Sequence, residues 1–309
     1  MDIMVDGLTK RYGHRTVVSD MSFHLRPGVT GLLGPNGAGK STLIKMLATV
    51  LPPTSGSVQY GAWRLPRDVI AIRSHLGYLP QEYGLYDQDT GLEFLTYAAA
   101  MKGVGPWRRA EEEARRLLEL VGLDASAHKR LGQYSGGMRQ RVGLAQSLIG
   151  TPDLLILDEP SAGLDPEERT RILNLVSMTA GSGSVLLSTH VVSDLEQLAS
   201  TIVVMTDGHL VMAGPPEEIA AQARGRVFRV SLALSTWQAL APSWTARQKS
   251  ADTPLVAQVQ MEPDRVRLRV LAHEAPDVPE ADIVAEPPTL SDGYLALAGT
   301  SLAAATNSA

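Results

Sequence analysis

Apolar and polar residues alternate in short runs along the first two thirds of the chain, and these runs predict strands and helices in turn. Between residues 3 and 30 the runs are broken by Pro27-Gly28, a pattern that favours a small antiparallel sheet. Residues 29–33 predict a strand, and the segment that begins at Leu43 carries apolar residues at helical spacing. The pattern therefore predicts an α/β fold from the start of the chain.

The middle of the chain is more polar and is predicted to be helical. Within residues 90–131, apolar residues fall on one helical face, and arginines and glutamates fall on the opposite face. Because this block interrupts the strand–helix alternation, we interpret residues 88–150 as an inserted helical subdomain. The continuous apolar run 154–157 is typical of a parallel strand buried on both faces. We therefore expect one main α/β domain with a mixed sheet core over residues 1–223.

The last part of the chain has a different pattern of apolar and polar residues. Residues 227–232 and 265–270 alternate between apolar and polar, which predicts half-buried strands, and residues 255–261 predict a third strand. A short helix is expected to end near Ala298. These patterns predict a small α+β accessory domain over residues 224–299 and a disordered tail over residues 300–309.

Composition narrows the class of protein. The chain has 309 residues, of which 44% are hydrophobic, and its formal net charge is −5. No apolar run approaches the roughly 20 residues that span a bilayer, and we expect no signal peptide in residues 1–10, which lack an apolar core. The absence of cysteine excludes disulfides and thiolate metal sites and is consistent with a reducing compartment. The acidic balance gives no overall basic field for nucleic acid or anionic lipid.

A glycine-rich loop lies between the first predicted core strand and the helix after it. Its residues are Gly34, Pro35, Asn36, Gly37, Ala38, Gly39, Lys40, Ser41 and Thr42. The glycines let successive N–H groups point inward, and the following helix adds about half a positive charge at its N-terminus. Lys40 can follow the β- and γ-phosphates, and the Ser41 hydroxyl is positioned for Mg²⁺. The loop predicts nucleotide binding.

Polar residues follow several other predicted strands at their carboxyl ends, where open parallel sheets gather their chemistry. Asp158 is predicted to hold Mg²⁺, and Glu159 to polarise the water that attacks the γ-phosphate. His190 follows the next core strand, beside the same edge. Gln81 could ligate Mg²⁺ and sense the γ-phosphate, although a solvated loop glutamine is the simpler reading of that residue alone. Tyr12 is either a half-buried strand aromatic or a residue that stacks on a purine.

Two further segments begin predicted helices. Ser135, Gly136 and Gly137 form an anion-ready helix N-terminus, although this tripeptide is also a common helix cap. Asp165 precedes Pro166, and the pair suits the N-cap and first positions of the helix that follows.

Taken together, these motifs resemble the nucleotide-binding subunit of an ATP-binding-cassette (ABC) transporter over residues 3–220. The glycine loop resembles the Walker A motif, residues 134–140 the signature motif and residues 154–159 Walker B. In the same comparison Gln81 is similar to the Q-loop residue, residues 161–165 to the D-loop and His190 to the switch histidine. The signature departs from the family pattern in two positions, with Tyr134 where leucine is usual and Met138 where glutamine is usual.

The resemblance implies a P-loop NTPase of the ABC type, with a small antiparallel subdomain and a helical subdomain. ATP and Mg²⁺ are the implied cofactors, and Tyr12 is the implied adenine-stacking residue. In such ATPases two domains pair head to tail, so Ser135, Gly137 and Asp165 would meet the nucleotide held by a second copy or a related chain. A separate integral-membrane permease is the other implied partner, which implies a cytoplasmic location at the inner face of the membrane. The carboxyl-terminal part resembles the accessory region of bacterial ABC exporter ATPases.

Two other functions remain open at this stage. The chain could be a soluble ABC ATPase that acts on ribosomes or nucleic acid, or a regulatory module that binds nucleotide without turnover. Three arginines within residues 265–269 suggest nucleic acid, but we interpret them as a solvated strand face. We expect no nucleic acid partner. The main prediction is therefore an ATP hydrolase that drives an exporter.

Overall fold

The computed structural model of the protein describes residues 1–181, 183–244 and 254–306. The chain forms two compact units, Met1–Ala213 and Gly214–Ala309. Up to the border the strands are β1 (Ile3–Tyr12), β2 (Arg15–Leu25), β3 (Gly28–Leu33), β4 (Ser55–Tyr60), β5 (Trp63–Leu65), β6 (Leu76–Leu79), β7 (Leu154–Asp158), β8 (Ser184–Ser188), β9 (Thr201–Thr206) and β10 (His209–Gly214). The helices are α1 (Lys40–Leu47), α2 (Val69–Ser74), α3 (Gly91–Met101), α4 (Trp107–Leu120), α5 (Gly136–Ser147), α6 (Pro166–Ala180) and α7 (Val192–Leu198).

Two sheets organise the first unit. One sheet has the order β2-β1-β4-β5 with antiparallel pairs, which confirms the small antiparallel sheet predicted at the start of the chain. The other has the order β10-β9-β3-β8-β7-β6, and β3, β6, β7, β8 and β9 pair in parallel. In this sheet Asp158 lies beside Ser188 and Leu32 lies beside the same serine. The carboxyl ends of β3, β7 and β8 therefore meet at one edge.

Helix α1 is anchored between the two sheets. Its apolar face, Leu43, Ile44, Met46 and Leu47, is fully buried in one cluster with residues of both sheets. Burial of each side chain contributes about 1.5–3 kcal/mol relative to exposure. The buried Tyr60 hydroxyl also donates to Leu47 O at 2.7 Å, which satisfies a carbonyl at the end of the helix. These contacts fix the position of the loop that precedes α1.

Helices α3, α4 and α5 occupy the polar middle of the chain. Thr90 begins α3 with a reciprocal capping box to Glu93, and α4 buries the predicted apolar face. On the outer face of α4, Arg108 pairs with Glu112 and Arg115 with Glu111, both four residues apart. The charged face is thus a solvated, internally paired surface, as the sequence pattern predicts.

The second unit contains a four-stranded antiparallel sheet. Its elements are α8 (Pro216–Ala220), β11 (Val227–Ala233), α9 (Leu234–Trp244), β12 (Leu255–Met261), β13 (Arg265–Leu271), β14 (Asp282–Ala285) and α10 (Leu290–Thr306), and the strand order is β12-β13-β11-β14. The three predicted strands are confirmed. Trp237 and Trp244 of α9 pack edge to face and cover the apolar side of β11 and β13. The sequence pattern did not predict α9 or β14.

Two boundaries differ from the sequence analysis. The border between the compact units lies at residues 213/214 rather than 223/224, because α8 packs on α10. A Cβ at Gly293 would come 1.9 Å from the Ile219 carbonyl oxygen, so glycine is required for this approach. Helix α10 continues to Thr306 where we expected a disordered tail, since its last residues are rich in alanine, a strong helix former. Residues 307–309 of that expected tail lie outside the described residues.

Two of the three arginines of β13 pair with acids within the unit. Arg267 pairs with Glu262 at 2.9 Å, and Arg269 pairs with both Glu286 and the buried Asp292. Arg269 is therefore an internal clamp rather than part of a solvated face. Within residues 1–181, 183–244 and 254–306, every helix is too short or too polar to span a bilayer.

Candidate nucleotide site

The backbone of the glycine loop can be formed only by glycine at two positions. Gly39 has φ 96°, in the left-handed region, and a Cβ there would lie 2.6 Å from the Val17 carbonyl oxygen. At Gly34 a Cβ would lie 2.3 Å from the Met205 carbonyl oxygen. The loop therefore lies directly against neighbouring backbone, which holds its N–H groups in place.

The N-terminus of α1 is open. Gly39 is the N-cap, and within residues 1–181 no side chain caps the free N–H groups of the first turn. Lys40 Nζ donates to Gly34 O at 2.6 Å and to Pro35 O at 3.0 Å, so the ammonium lies over the loop. Burial lowers the pKa of Lys40, while Glu159 and Asp158 oppose the change. The arrangement offers N–H groups and a movable cation to an anion.

A cavity of about 390 Å³ opens beside this loop, a size suited to a small-molecule ligand. Its lining residues are Tyr12, Arg15, Val17, Asn36, Gly37, Gly39, Lys40, Ser41, Thr42, Gln81, Asp158, Glu159 and Ser188. Residues from five separated segments of the chain thus converge on one space. Of the predicted loop residues, Gly34, Pro35 and Ala38 belong to the loop without lining the cavity.

Asp158 is the buried carboxylate of the site, with 3% exposure. Burial raises its pKa, and the adjacent Glu159 carboxylate adds to the rise, while the Ser188 and Ser41 hydroxyls and the Lys40 ammonium oppose it. A cation bound next to Asp158 would favour the ionised form. The buried Asp158 carboxylate is therefore suited to bind a cation.

The donor set fits Mg²⁺. The Ser41 hydroxyl, the Gln81 amide and the Asp158 carboxylate line the same cavity, and all three offer the oxygen ligands that this ion prefers. Among the described residues, no group of three or more histidines, cysteines and acids could hold a metal without other ligands. Mg²⁺ is commonly held by one or two carboxylates together with substrate phosphates, and this site matches that arrangement.

Glu159 has a strained backbone and a histidine partner. Its φ is 53°, a left-handed conformation that costs a non-glycine residue about 1–2 kcal/mol. The Glu159 N–H donates to Ser188 O at 3.0 Å, which ties the residue to the end of β8. His190 Nδ1 lies 2.8 Å from Glu159 Oε2; the histidine side chain is 65% exposed and the glutamate side chain 11%. In this conformation the Glu159 carboxylate contacts His190, and Glu159 lines the cavity.

Tyr12 lies at the edge of the cavity with its ring available. It is 51% exposed, and Lys10 Nζ lies 5.3 Å from the ring centroid. Arg15 is its cross-strand partner and lines the same cavity. The sequence analysis missed Arg15, although its position opposite Tyr12 across a tight turn was a usable signal, and it missed Ser188, which ends the strand next to Asp158.

Ser135, Gly136, Gly137 and Asp165 are not among the residues that line the cavity. Ser135 Oγ instead accepts a hydrogen bond from Met138 N at 3.2 Å and caps α5. Asp165 caps α6 by accepting from Glu168 N at 2.9 Å. A Cβ at Gly137 would come 3.1 Å from the Glu168 side chain, so the two segments lie next to each other. The structure brings them together at a place apart from the cavity of their own chain.

A buried ion pair that the sequence analysis missed connects these segments. Arg141 Nε of α5 lies 3.0 Å from Glu168 Oε2 of α6. Arg141 Nη1 donates a hydrogen bond to Val121 O at 2.8 Å. The Arg141 side chain is only 6% exposed. The signal available in the sequence was weak, because arginine and glutamate side chains are usually solvated.

Comparisons with known proteins agree with this geometry. A family model described as ABC transporter matches residues 18–162. An uncharacterised ABC transporter ATP-binding protein of Bacillus subtilis, YxlF, is 42% identical over 232 residues, which are 74% of this chain and 76% of that protein. The daunorubicin resistance ATP-binding protein DrrA3 of Streptomyces coeruleorubidus is 34% identical over 303 residues, 96% of each chain. A solved ATP-binding subunit of an ABC transporter superposes with TM-score 0.65 at 29% identity, covering 72% of this chain and 93% of that one.

The fold and the cavity define a P-loop nucleotide-binding protein, in which a glycine loop, a lysine and a strand-end acid pair surround one site. Within that class, the chain belongs to the family of ABC transporter ATP-binding proteins. Its activity is the binding and hydrolysis of ATP.

Proposed function

We propose that this chain is the ATPase subunit of an exporter-type ABC transporter and drives a separate integral-membrane permease from the cytoplasmic face. The observation that carries the proposal is the cavity that joins Lys40, Ser41, Asp158 and Glu159 in a chain similar to a drug-resistance ATP-binding protein along 96% of its length. That similarity extends through the second unit, so the accessory region is part of the relationship.

Each residue of the site has a role in the proposed reaction. The loop N–H groups and Lys40 bind the phosphates, and Ser41, Gln81 and Asp158 hold Mg²⁺. Mg²⁺, when bound, neutralises charge that develops on the phosphate oxygens. Glu159 orients the attacking water and accepts its proton.

Two further residues complete the proposed chemistry: His190, which contacts Glu159 but is not among the lining residues, and Tyr12, which lines the cavity. His190, hydrogen-bonded to Glu159, contacts the γ-phosphate side of the site. Tyr12 stacks on adenine.

The segments that lie away from the cavity act on a second ATPase chain. Two copies, or two related chains, pair head to tail, so Ser135 and Gly137 reach the γ-phosphate in the partner's cavity and Asp165 lies beside it. Supporting this arrangement, these residues cluster together and apart from their own cavity. ATP then favours the closed dimer by its differential affinity for that state.

The permease would dock on the surface around Gln81 and residues 83–90. Tyr86 in this segment is 67% exposed, and an exposed aromatic side chain suits a protein contact. Because Gln81 also lines the cavity, docking here can report on the bound nucleotide.

The proposal is tested by affinity purification of the tagged chain from detergent-solubilised membranes of its own host. We expect one multi-helix membrane protein to co-purify in near-equal amount, and to be lost when Tyr86 is replaced by aspartate but retained when the exposed Met178 is replaced in the same way. Recovery only from the soluble fraction, with ribosomal proteins or nucleic acid, would overturn the transport function and leave the ATPase chemistry standing. The paired arginines of β13 argue against that outcome.

A further inference from the structure

A chain of hydrogen bonds connects the segment after Gln81 with the backbone after Glu159. Tyr83 Oη donates to Gln140 Oε1 at 2.9 Å and is 3.0 Å from Arg139 O. Gln140 Nε2 in turn donates to Pro160 O at 2.8 Å. The amide of Gln140 therefore uses its acceptor toward one segment and its donor toward the other, which fixes its orientation.

Both ends of this chain are held firmly. A Cβ at Gly143 would come 2.7 Å from the Tyr83 ring, so the ring packs directly on the backbone of α5. Burial raises the pKa of Tyr83 to about 12, and the hydroxyl remains a donor across the physiological range. At the other end Pro160 is buried, and its carbonyl would lose its hydrogen bond from Gln140 if that side chain were apolar.

Pro160 directly follows the strained residue of the site. Glu159 has φ 53°, and such a conformation persists only where surrounding contacts impose it. Contacts on the two sides of Glu159 do so: its N–H is bonded to Ser188 O, and the next carbonyl is bonded to Gln140. Loss of either bond would let the peptide relax and move the carboxylate away from the reacting water.

We propose that Gln140, held by Tyr83, is a positioning residue for Glu159 and transmits the position of the segment after Gln81 to the hydrolytic carboxylate. This inference rests on the proposed role of Glu159. We call the hydrogen-bonded path from Tyr83 through Gln140 to the Pro160 carbonyl the relay. It is separate from the glycine loop, so we expect it to affect the hydrolytic step and to leave nucleotide binding unchanged.

The experiment measures the steady-state ATPase activity of the full chain with Gln140 replaced by leucine and by glutamate. For Gln140→Leu we expect kcat to fall about 10- to 100-fold with the KM for ATP within about twofold, because only the geometry at Glu159 is disturbed. Gln146, exposed on the same helix, provides the matched control: Gln146→Leu is expected to keep wild-type kcat. Wild-type kcat in Gln140→Leu, or an equal loss of ATP affinity, would overturn the proposal.

The glutamate variant gives a signature that a merely structural role would not give. In Gln140→Glu an ionised oxygen would face the Pro160 carbonyl, whereas the protonated carboxyl can donate to it. The ratio of kcat for Gln140→Glu to wild type should therefore rise as the pH falls from about 7 toward the ordinary glutamate pKa of about 4.3, while the ratio for Gln140→Leu stays flat. A flat ratio in both variants would contradict the relay.

Tyr83→Phe tests the other link with a milder change. We expect a several-fold fall in kcat, and no further fall when it is combined with Gln140→Leu, because the two residues act through one path. Independent, multiplicative effects would overturn the coupling. Glu159→Gln is measured in parallel: if it is inactive while Gln140→Leu is normal, only the relay fails, and if Glu159→Gln is fully active, the proposed function of the site fails.

Discussion

Two helices of the first unit begin at glycine-rich segments, and their N-termini differ in one decisive respect. At α1 the N-cap is Gly39, which has no side chain, and the N–H groups of the first turn face the cavity. At α5 the N-cap is Ser135, whose hydroxyl accepts from Met138 N. One N-terminus is open to a ligand from its own chain, and the other is closed by its own serine and lies apart from that cavity.

A glycine-rich helix start is therefore not by itself a binding site. The open N-terminus needs an anion to satisfy its donors, whereas the capped one needs none. A ligand that approaches α5 from outside must share Ser135 with the helix cap. We therefore expect the two N-termini to respond differently to substitution, with α1 governing binding and α5 governing association.

The largest effect is expected at the open N-terminus. Lys40→Ala removes the ammonium group that lies over the described glycine loop, so ATP binding and turnover should both be lost. Fluorescent ATP-analogue titration and phosphate release measure the two quantities. Unchanged binding in this variant would show that the N–H groups alone hold the nucleotide.

The next effect separates binding from chemistry. Glu159→Gln keeps the shape of the site but removes the carboxylate, so kcat should fall about 10²- to 10⁴-fold while ATP still binds. Because bound ATP is not consumed, we expect the variant to accumulate as a dimer. Light scattering with and without ATP checks this, and a monomer at saturating ATP would contradict the head-to-tail arrangement.

A smaller effect is expected at the capped N-terminus, where two substitutions can be compared. Ser135→Asp keeps a good N-cap and adds negative charge, and Ser135→Ala removes the cap at a cost of about 1 kcal/mol. Both should lower turnover about tenfold or more without weakening ATP binding to the monomer. If Ser135 were only a cap, the aspartate variant would be as active as wild type.

The parts of the site whose residues lie close together in the sequence were the most predictable. The glycine loop, Ser41 and Lys40 lie within nine consecutive positions, so their chemistry can be read without knowing the fold. The position of His190 beside Glu159 followed from one rule, that successive parallel strands end at the same edge. In both cases the sequence spacing determined the geometry.

Contacts between distant segments could not be predicted in this way. The Gln140 amide contacts Pro160 in the turn after β7, and Arg141 contacts Glu168 of α6. The sequence around Gln140 and Arg141 does not indicate these partners. Arg269 looked like a solvated residue of an alternating strand, but Asp292, which neutralises it, lies on a helix later in the chain. The length of α10 was underestimated for a different reason: residues 303–305, which we assigned to a disordered tail, are alanine, a strong helix former.

The smallest effect concerns a third helix start, at α10 in the second unit. Here Thr289 and Asp292 cap each other, and Asp292 also binds Arg269 at 2.7 Å. Burial by itself would raise the pKa of Asp292, but the hydrogen bonds from Arg269 and Thr289 outweigh it and hold the pKa below its ordinary value. This N-terminus is closed by an acid of its own chain, so we expect no ligand there.

Asp292→Asn should therefore leave turnover unchanged and lower the free energy of unfolding of the second unit by about 1.5–3 kcal/mol at neutral pH. The stabilisation by the charged form is present above the ordinary carboxyl pKa and is lost as the pH falls through it toward the lowered native value. The difference between variant and wild type should shrink over that acidic range. Denaturant unfolding of the full chain at several pH values measures it, and a pH-independent difference would exclude the ionised carboxylate as its source.

Mixing two impaired variants tests whether the open N-terminus of α1 and the capped N-terminus of α5 act on the same nucleotide from two different chains. Lys40→Ala has an intact α5 start, and Ser135→Asp has an intact glycine loop, so a mixed dimer contains one complete site. With random pairing the mixture should recover about a quarter of wild-type ATPase activity. If mixing yields no more than the average of the separate variants, the two N-termini do not act across a dimer and the account is wrong.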